Sequence, residues 1–119
     1  QGTSAMANII KILAELDKRN YNMKIVYVAS PQLFERQSSD YQNKIISEYD
    51  KQNSTLVTTS GKKLMPEFTF SDKSLKYALS PDWDDRWRTG GTLEEVLDEA
   101  HLSPEKILEG IERFVASLK

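Results

Sequence analysis

The chain has 119 residues, 39% of them apolar and 29% charged, and its net charge is −2, a composition typical of globular domains. It has no cysteine and a single histidine, which excludes disulfides, thiolate chemistry and multi-histidine metal sites. Scattered Lys and Arg residues indicate no nucleic-acid partner. No apolar run reaches the ~20 residues of a membrane span, so we expect no membrane partner and a cytoplasmic location.

The N-terminal part of the chain predicts a helix followed by a buried strand. Apolar residues at helical spacing predict the helix over residues 5–19. A continuous apolar run at 25–29 predicts a strand that is covered on both faces, as in a parallel sheet, with Val26 in the core. Ser30 and Pro31 then end the strand and start a short helix, because the hydroxyl caps free N–H groups and proline needs no N–H there.

The middle of the chain has weaker signals. The spacing of Ser39 and Gln42 fits a capping box and predicts a helix to residue 49. β-Branched residues at 55–59 predict a second strand. Residues 66–70 fit a short edge strand or a loop, and residues 75–79 fit a strand or a helical turn.

Two helices are predicted at the C-terminal end. Thr92 with Glu95 makes a capping box for a helix that runs to residue 100. Ser103 and Pro104 repeat the Ser-Pro helix start, and the last helix has one apolar face through residue 118.

This order of elements predicts an α/β fold: a three-layer α/β/α domain with a mostly parallel sheet. We expect one domain over residues 1–119. Since a leading helix before a buried strand normally follows another strand, and only QGTS precedes this helix, we also expect the chain to be a fragment of a longer one.

Chemically capable residues are few, and none is assigned a catalytic, cofactor-binding or metal-binding role. Ser and Thr at helix starts can bind small anions, although plain helix capping is the simpler interpretation. The loop 83–88 combines carboxylates with arginines, and could bind a phosphorylated sugar or form solvent-exposed ion pairs. The weak candidates for an anion or ligand site are Thr3, Ser4, Ser30, Asp85, Arg86 and Arg88. His101 is interpreted as a solvated linker residue.

Residues 24–41, KIVYVASPQLFERQSSDY, resemble one segment of the C-terminal domain of transketolase. In that family a second strand leads through a proline into a Leu-Phe-x-x-Gln helix, and a tyrosine often follows at the place of Tyr41. Residues 2–5 resemble the turn after the family's first strand. Residues 85–90, with Trp87 in place of a phenylalanine, resemble its Asp-x-Phe-Gly loop, and residues 93–108 resemble its closing helix pair.

The resemblance implies a structural or regulatory domain that is inactive alone and binds no cofactor itself. The whole enzyme, a transferase of the pentose phosphate pathway, would move a two-carbon ketol unit between phosphorylated sugars. Its preceding domains would hold thiamine diphosphate and a divalent metal, Mg or Ca. The implied partners are those remaining domains, in a homodimer.

Three alternatives stay open. Two are the equivalent domains of deoxyxylulose-phosphate synthase and of a 2-oxo-acid dehydrogenase β-subunit. The third is a free-standing regulatory module that binds a small anion.

Overall fold

The computed structural model of the chain describes residues 1–86, 88 and 90–119. In this part it has seven α-helices, followed along the chain as α1 (Thr3–Lys18), α2 (Pro31–Glu35), α3 (Ser39–Ile45), α4 (Glu48–Gln52), α5 (Asp72–Lys76), α6 (Leu93–Glu99) and α7 (Pro104–Ala116). Two short 3-10 turns, Lys62–Leu64 and Pro66–Phe68, lie between α4 and α5. None of these helices is both long and apolar enough to cross a membrane.

The predicted three-layer α/β/α fold with a mostly parallel sheet is wrong. The structure is 55% helical with 2% strand, and the described residues form no sheet. Strand-like pairing occurs at a parallel bridge between Val57 and Leu79. There the Leu79 N–H donates to the Leu56 carbonyl at 2.8 Å, and the Thr58 N–H donates to the Leu79 carbonyl at 2.9 Å. The predicted second strand at 55–59 is thus reduced to this bridge and to two hydrogen bonds with the Gln1 backbone, from the Gln1 ammonium to the Val57 carbonyl and from the Thr59 N–H to the Gln1 carbonyl.

The predicted first strand also fails to pair. Residues 21–28 make no helix, turn or bend, and Val26 is 37% exposed rather than in the core. The apolar, β-branched residues of this segment are of the types that strands prefer. A strand also needs a neighbouring backbone to bond its N–H and C=O groups, and apolar patterning does not specify that neighbour.

The main core lies between α1 and α7, the first and last helices. It contains Ile9, Ile12, Leu16, Leu79, Ala100, Leu102, Ile107 and Ile111. Two polar contacts support this packing. Arg19, which follows α1, donates from Nε to Glu112 Oε1 on α7 at 2.6 Å, and Asn8 Nδ2 on α1 donates at 2.9 Å to the carbonyl of Leu102, which lies between α6 and α7. The predicted apolar faces of the two helices are therefore confirmed in part: Ile9 and Leu16 of α1 are buried against α7, whereas Ile10 and Leu13, which the same spacing predicts on that face, are 55% and 39% exposed.

The Ser30–Pro31 corner forms as predicted. Ser30 Oγ accepts a hydrogen bond from the Leu33 N–H at 3.3 Å, and Pro31 is the first residue of α2. Phe34 on α2 packs against a second, smaller core, with its ring 6.3 Å from that of Phe68. The corner thus anchors α2 even though the strand before it does not pair.

Other elements differ from prediction in detail. The helix predicted over 39–49 is divided into α3 and α4, because Ser47 and Asp50 form their own capping box. The capping box predicted at Thr92 is confirmed. Ser103 precedes α7 as predicted, but its hydroxyl donates to Asp98 Oδ1 at 2.9 Å and caps no N–H.

Candidate functional site

The predicted loop cluster is organised around Asp84. Arg88 binds this carboxylate with two nitrogens, Nη2 to Oδ1 at 2.7 Å and Nη1 to Oδ2 at 3.1 Å. Arg86 Nε adds a bond to Oδ2 at 2.8 Å. The Arg88 and Arg86 guanidinium groups hold the pKa of Asp84 well below its usual range. Arg88 also donates to the Pro81 carbonyl and approaches Glu99.

This network favours a structural role for the loop. Both oxygens of the Asp84 carboxylate already accept charged hydrogen bonds, and a carboxylate held in its ionised form this strongly is a poor general base at neutral pH. Arg88 has only 10% of its side chain exposed. Its two terminal nitrogens donate within the protein, whereas its buried Nε has no hydrogen-bond partner among the described residues. A role in binding phosphorylated sugars stays a prediction.

The other predicted site residues lie apart from that network. Thr3 and Ser4 are in the first turn of α1, and Ser30 caps α2. Asp85 is exposed and pairs with Lys63 at 3.6 Å. Among the described residues, no hydrogen bond or ion pair joins these four to the two arginines. Trp87, which completes the loop resemblance, is outside the described residues.

A cationic cleft of about 320 Å³ lies beside the loop. We call it the basic cleft, and its polar and aromatic lining residues are Lys62, Lys76, Tyr77, Ser80, Trp83, His101 and Arg113. Its charges come from three places along the chain: a 3-10 turn, the end of α5, and α7. Cations that converge from separate elements raise the local concentration of anions.

The imidazole of His101 forms one wall of the basic cleft. It stacks on the Trp83 indole, with the ring centroids 4.0 Å apart and the planes 14° apart. Burial lowers the pKa of His101 below its ordinary value of 6.5. Nearby cations, among them Arg113, lower it further. The imidazole is therefore mostly neutral at pH 7, so the positive potential in the cleft comes from its Lys and Arg residues.

Sequence reasoning missed the basic cleft. His101 is half-buried and stacked, so its interpretation as a solvated linker residue was wrong in this respect. Lys76 and Arg113 belong to different helices, and no local spacing relates them. Their meeting depends on how α5 packs beside α7, which motif searches do not detect. No group of three or more His, Cys, Asp or Glu residues suited to a metal ion occurs in the described part of the chain.

Comparisons with known proteins identify no relative of this chain. No family model, no curated protein and no solved structure matches the chain. The resemblance to the transketolase C-terminal domain therefore rests on the residues quoted above, and it stays a prediction.

Proposed function

We propose that this chain is an accessory domain, the C-terminal domain of a transketolase, with a structural or regulatory role and no catalytic site of its own. The remaining domains would bind thiamine diphosphate with Mg or Ca and transfer the ketol unit within a cytoplasmic homodimer. The observation that carries the proposal is the corner within residues 24–41, because its local structure uses the residues that create the resemblance.

Side chains of the corner form hydrogen bonds that stabilise the ends of its helices. Ser30 caps α2, and Gln37 Nε2 donates to the Leu33 carbonyl at 3.0 Å. Gln42 Nε2 then donates to the Gln37 carbonyl at 2.9 Å and links α2 to α3. The glutamine of the Leu-Phe-x-x-Gln pattern therefore closes the end of α2, which supports the assignment of this segment.

The closing helix pair supports the proposal as well. α6 and α7 occupy the range that resembles the family's last two helices, and Leu102 between them is fully enclosed. The proposal covers only the role of the domain. It does not include the predicted parallel sheet, because the described residues form no sheet.

The test mixes the chain with a transketolase from which the C-terminal domain has been deleted. We expect a complex on analytical ultracentrifugation and a higher melting temperature for the truncated enzyme. A helical domain of similar size serves as control. Truncated deoxyxylulose-phosphate synthase and a truncated 2-oxo-acid dehydrogenase β-subunit, in parallel mixtures, distinguish the related enzymes.

Calorimetry gives the second half of this test. The chain alone, titrated with thiamine diphosphate and Mg²⁺, should give no binding heat, because the proposal assigns the cofactor to other domains. Micromolar binding by the chain alone, or no complex with any truncated enzyme, would contradict the accessory role.

The basic cleft favours a second candidate function, a regulatory module that binds a small anion. Inorganic phosphate should shift the NMR signals of the His101 ring and raise its pKa, because a dianion stabilises the imidazolium. The double variant Lys76→Gln/Arg113→Gln should lose the effect, whereas Lys44→Gln on α3 should retain it. Equal shifts in both variants would exclude the basic cleft as the site.

A further inference from the structure

The cations of the basic cleft have no carboxylate partner. None of Lys62, Lys76 and Arg113 takes part in an ion pair within the described part of the chain. No Asp or Glu residue is among the described residues that line the cleft. By contrast, Lys63, next to Lys62, pairs with Asp85 at 3.6 Å. Three converging cations without a counter-charge create a positive potential that an anion neutralises.

The elements that carry these cations are connected to one another. α5 and α7 meet where the Tyr77 ring lies 6.1 Å from that of Phe114. The 3-10 turn is joined through Asp82, whose Oδ1 accepts from the Lys62 N–H at 3.1 Å and from the Ser80 hydroxyl at 2.6 Å. The backbone positions of the three cations are therefore set before a ligand binds, which reduces the cost of ordering them.

His101 has a backbone conformation that glycine usually adopts. Its φ of 59° is in the left-handed region, and it follows the C-cap residue of α6, where many helices end with glycine. The Leu102 N–H donates to the Leu97 carbonyl at 2.7 Å and the His101 N–H donates to the Asp98 carbonyl at 3.0 Å, as in a Schellman motif. A histidine at this position costs free energy that glycine does not. Residues held in such conformations cluster at binding sites.

The side chain of His101 completes an aromatic wall of the cleft. Its imidazole stacks on the Trp83 indole at 4.0 Å, and Trp83 is still 44% exposed, which leaves ring surface for a ligand. Tyr77 adds a further ring to the lining, with Lys76 Nζ 5.5 Å from its centroid. Aromatic surface and positive charge therefore lie side by side.

The volume of the cleft is larger than a bare inorganic anion needs. It is about 320 Å³, roughly ten times the share of one water molecule in the liquid, about 30 Å³. Sites for organic ligands begin at about 300 Å³. An anion bound to the cations would leave room for an organic group beside the rings.

We propose that the basic cleft binds a phosphate monoester whose organic group is a planar ring. The phosphate oxygens accept hydrogen bonds from Lys62, Lys76 and Arg113, and the ring packs against the Trp83–His101 pair. Phosphate fits because a dianion neutralises more of three cations than a monoanion does, and because an arginine can give a phosphate two parallel hydrogen bonds. The inference rests on the second candidate function above, the small-anion module, and names its ligand class.

The first experiment compares three probes by calorimetry: phenyl phosphate, cyclohexyl phosphate and methyl phosphate. The measurements are made at about pH 8, where phosphate monoesters are dianions and His101, whose pKa is below 6.5, is neutral. Phenyl phosphate should bind about tenfold more tightly than methyl phosphate and about threefold more tightly than cyclohexyl phosphate, because only a planar ring stacks. Phenyl phosphate alone should also cause ring-current shifts in the NMR signals of Trp83 and His101.

The second experiment separates the two parts of the site. Lys76→Gln/Arg113→Gln should weaken binding of all three probes, whereas the control Lys44→Gln should leave their affinities unchanged. His101→Gly fits the left-handed backbone, so the fold should survive as judged by circular dichroism. This variant should lower the preference for phenyl over methyl phosphate to less than about threefold, with methyl phosphate affinity nearly unchanged.

The outcomes that contradict the inference differ from those that contradict the small-anion module. Equal affinities for phenyl and methyl phosphate would leave the module standing and overturn the ring-bearing ligand. Equal affinities for phenyl and cyclohexyl phosphate would overturn the planar group, as would an unchanged preference in His101→Gly. No binding of any probe, or binding that Lys76→Gln/Arg113→Gln retains in full, would overturn both.

Discussion

The helix interface between α1 and α7 buries its apolar residues, whereas a cleft lined by residues 24–28, 54–57 and Gln1, called here the strand cleft, leaves apolar residues exposed. In the interface, Ile107 has no exposed surface, and each helix satisfies its own backbone. In the cleft, Ile25 is 41% exposed and its backbone lacks a partner in the described structure. Two isoleucines in one small protein therefore have very different environments.

The comparison shows that a secondary-structure element has two separate requirements: burial of its apolar side chains and hydrogen bonds for its backbone N–H and C=O groups. A helix meets the second requirement locally, so an amphipathic sequence needs only one apolar surface to pack against. A strand meets it only through another strand. Leu79 links the two regions, because it bonds to residues 56 and 58 and also packs in the core of α1 and α7.

The largest effect should come from truncating the buried isoleucine. Ile107→Ala should lower the free energy of unfolding by about 2–5 kcal/mol, since it removes transfer energy and leaves a cavity. The matched change Ile25→Ala should cost less than about 1 kcal/mol, as expected of surface positions. Urea denaturation of both variants measures the difference. Equal losses would show that the cleft wall is packed in solution.

A smaller loss is expected where α7 touches Leu79. A Cβ atom on Gly110 would lie 2.5 Å from Leu79 Cδ2, so Gly110→Ala should cost about 1–3 kcal/mol through overpacking. Helix propensity alone predicts the opposite, a gain of about 1 kcal/mol. The double variant Gly110→Ala/Leu79→Ala should lose less than the sum of the single losses in denaturant unfolding. A stabilising Gly110→Ala would mean that this contact is loose.

A still smaller effect should follow the protonation of His101. Its folded-state pKa lies below the ordinary value of 6.5, so the unfolded state binds the proton more readily. Stability should therefore fall as the pH drops from about 7 through 6.5 toward the lowered pKa, and then level off for this group. The variant His101→Phe keeps an aromatic ring over Trp83 and should remove this part of the pH dependence of the melting temperature. An unchanged profile would assign the pH dependence to other groups.

The smallest effect is expected at the edge of the strand cleft. Burial lowers the pKa of the Gln1 ammonium below 8.0, so the unfolded state binds more protons just below pH 8. Stability should rise with pH until about pH 8 and stay level above it. Acetylation of Gln1 removes the charge and should abolish this rise in thermal melts. If the rise persists after acetylation, the ammonium is not desolvated in solution.

The parts of the fold that were predictable depend on local sequence. The faces of α1 and α7, the Ser30–Pro31 corner and the Thr92 capping box each arise from residues within one or two turns of each other. Local spacing and capping chemistry encode such features.

The remainder required information that local patterns do not contain. The run at 25–29 predicts a strand, yet its pairing depends on a backbone elsewhere. The break between α3 and α4 occurs at Ser47. This residue forms a capping box with Asp50 and starts a new helix instead of continuing α3. The basic cleft depends on packing between distant helices, and so no spacing rule placed Lys76 near Arg113.

The pairing of the first helix with the last has a consequence for synthesis on the ribosome. About 85 residues separate the end of α1 at Lys18 from the start of α7 at Pro104. At roughly 5–20 residues per second, synthesis of α7 begins about 4–17 s after synthesis of α1 ends. During that interval Ile9, Ile12 and Leu16 lack the α7 surface that buries them in the folded chain. The nascent chain is therefore most exposed to misassociation before its last helix emerges.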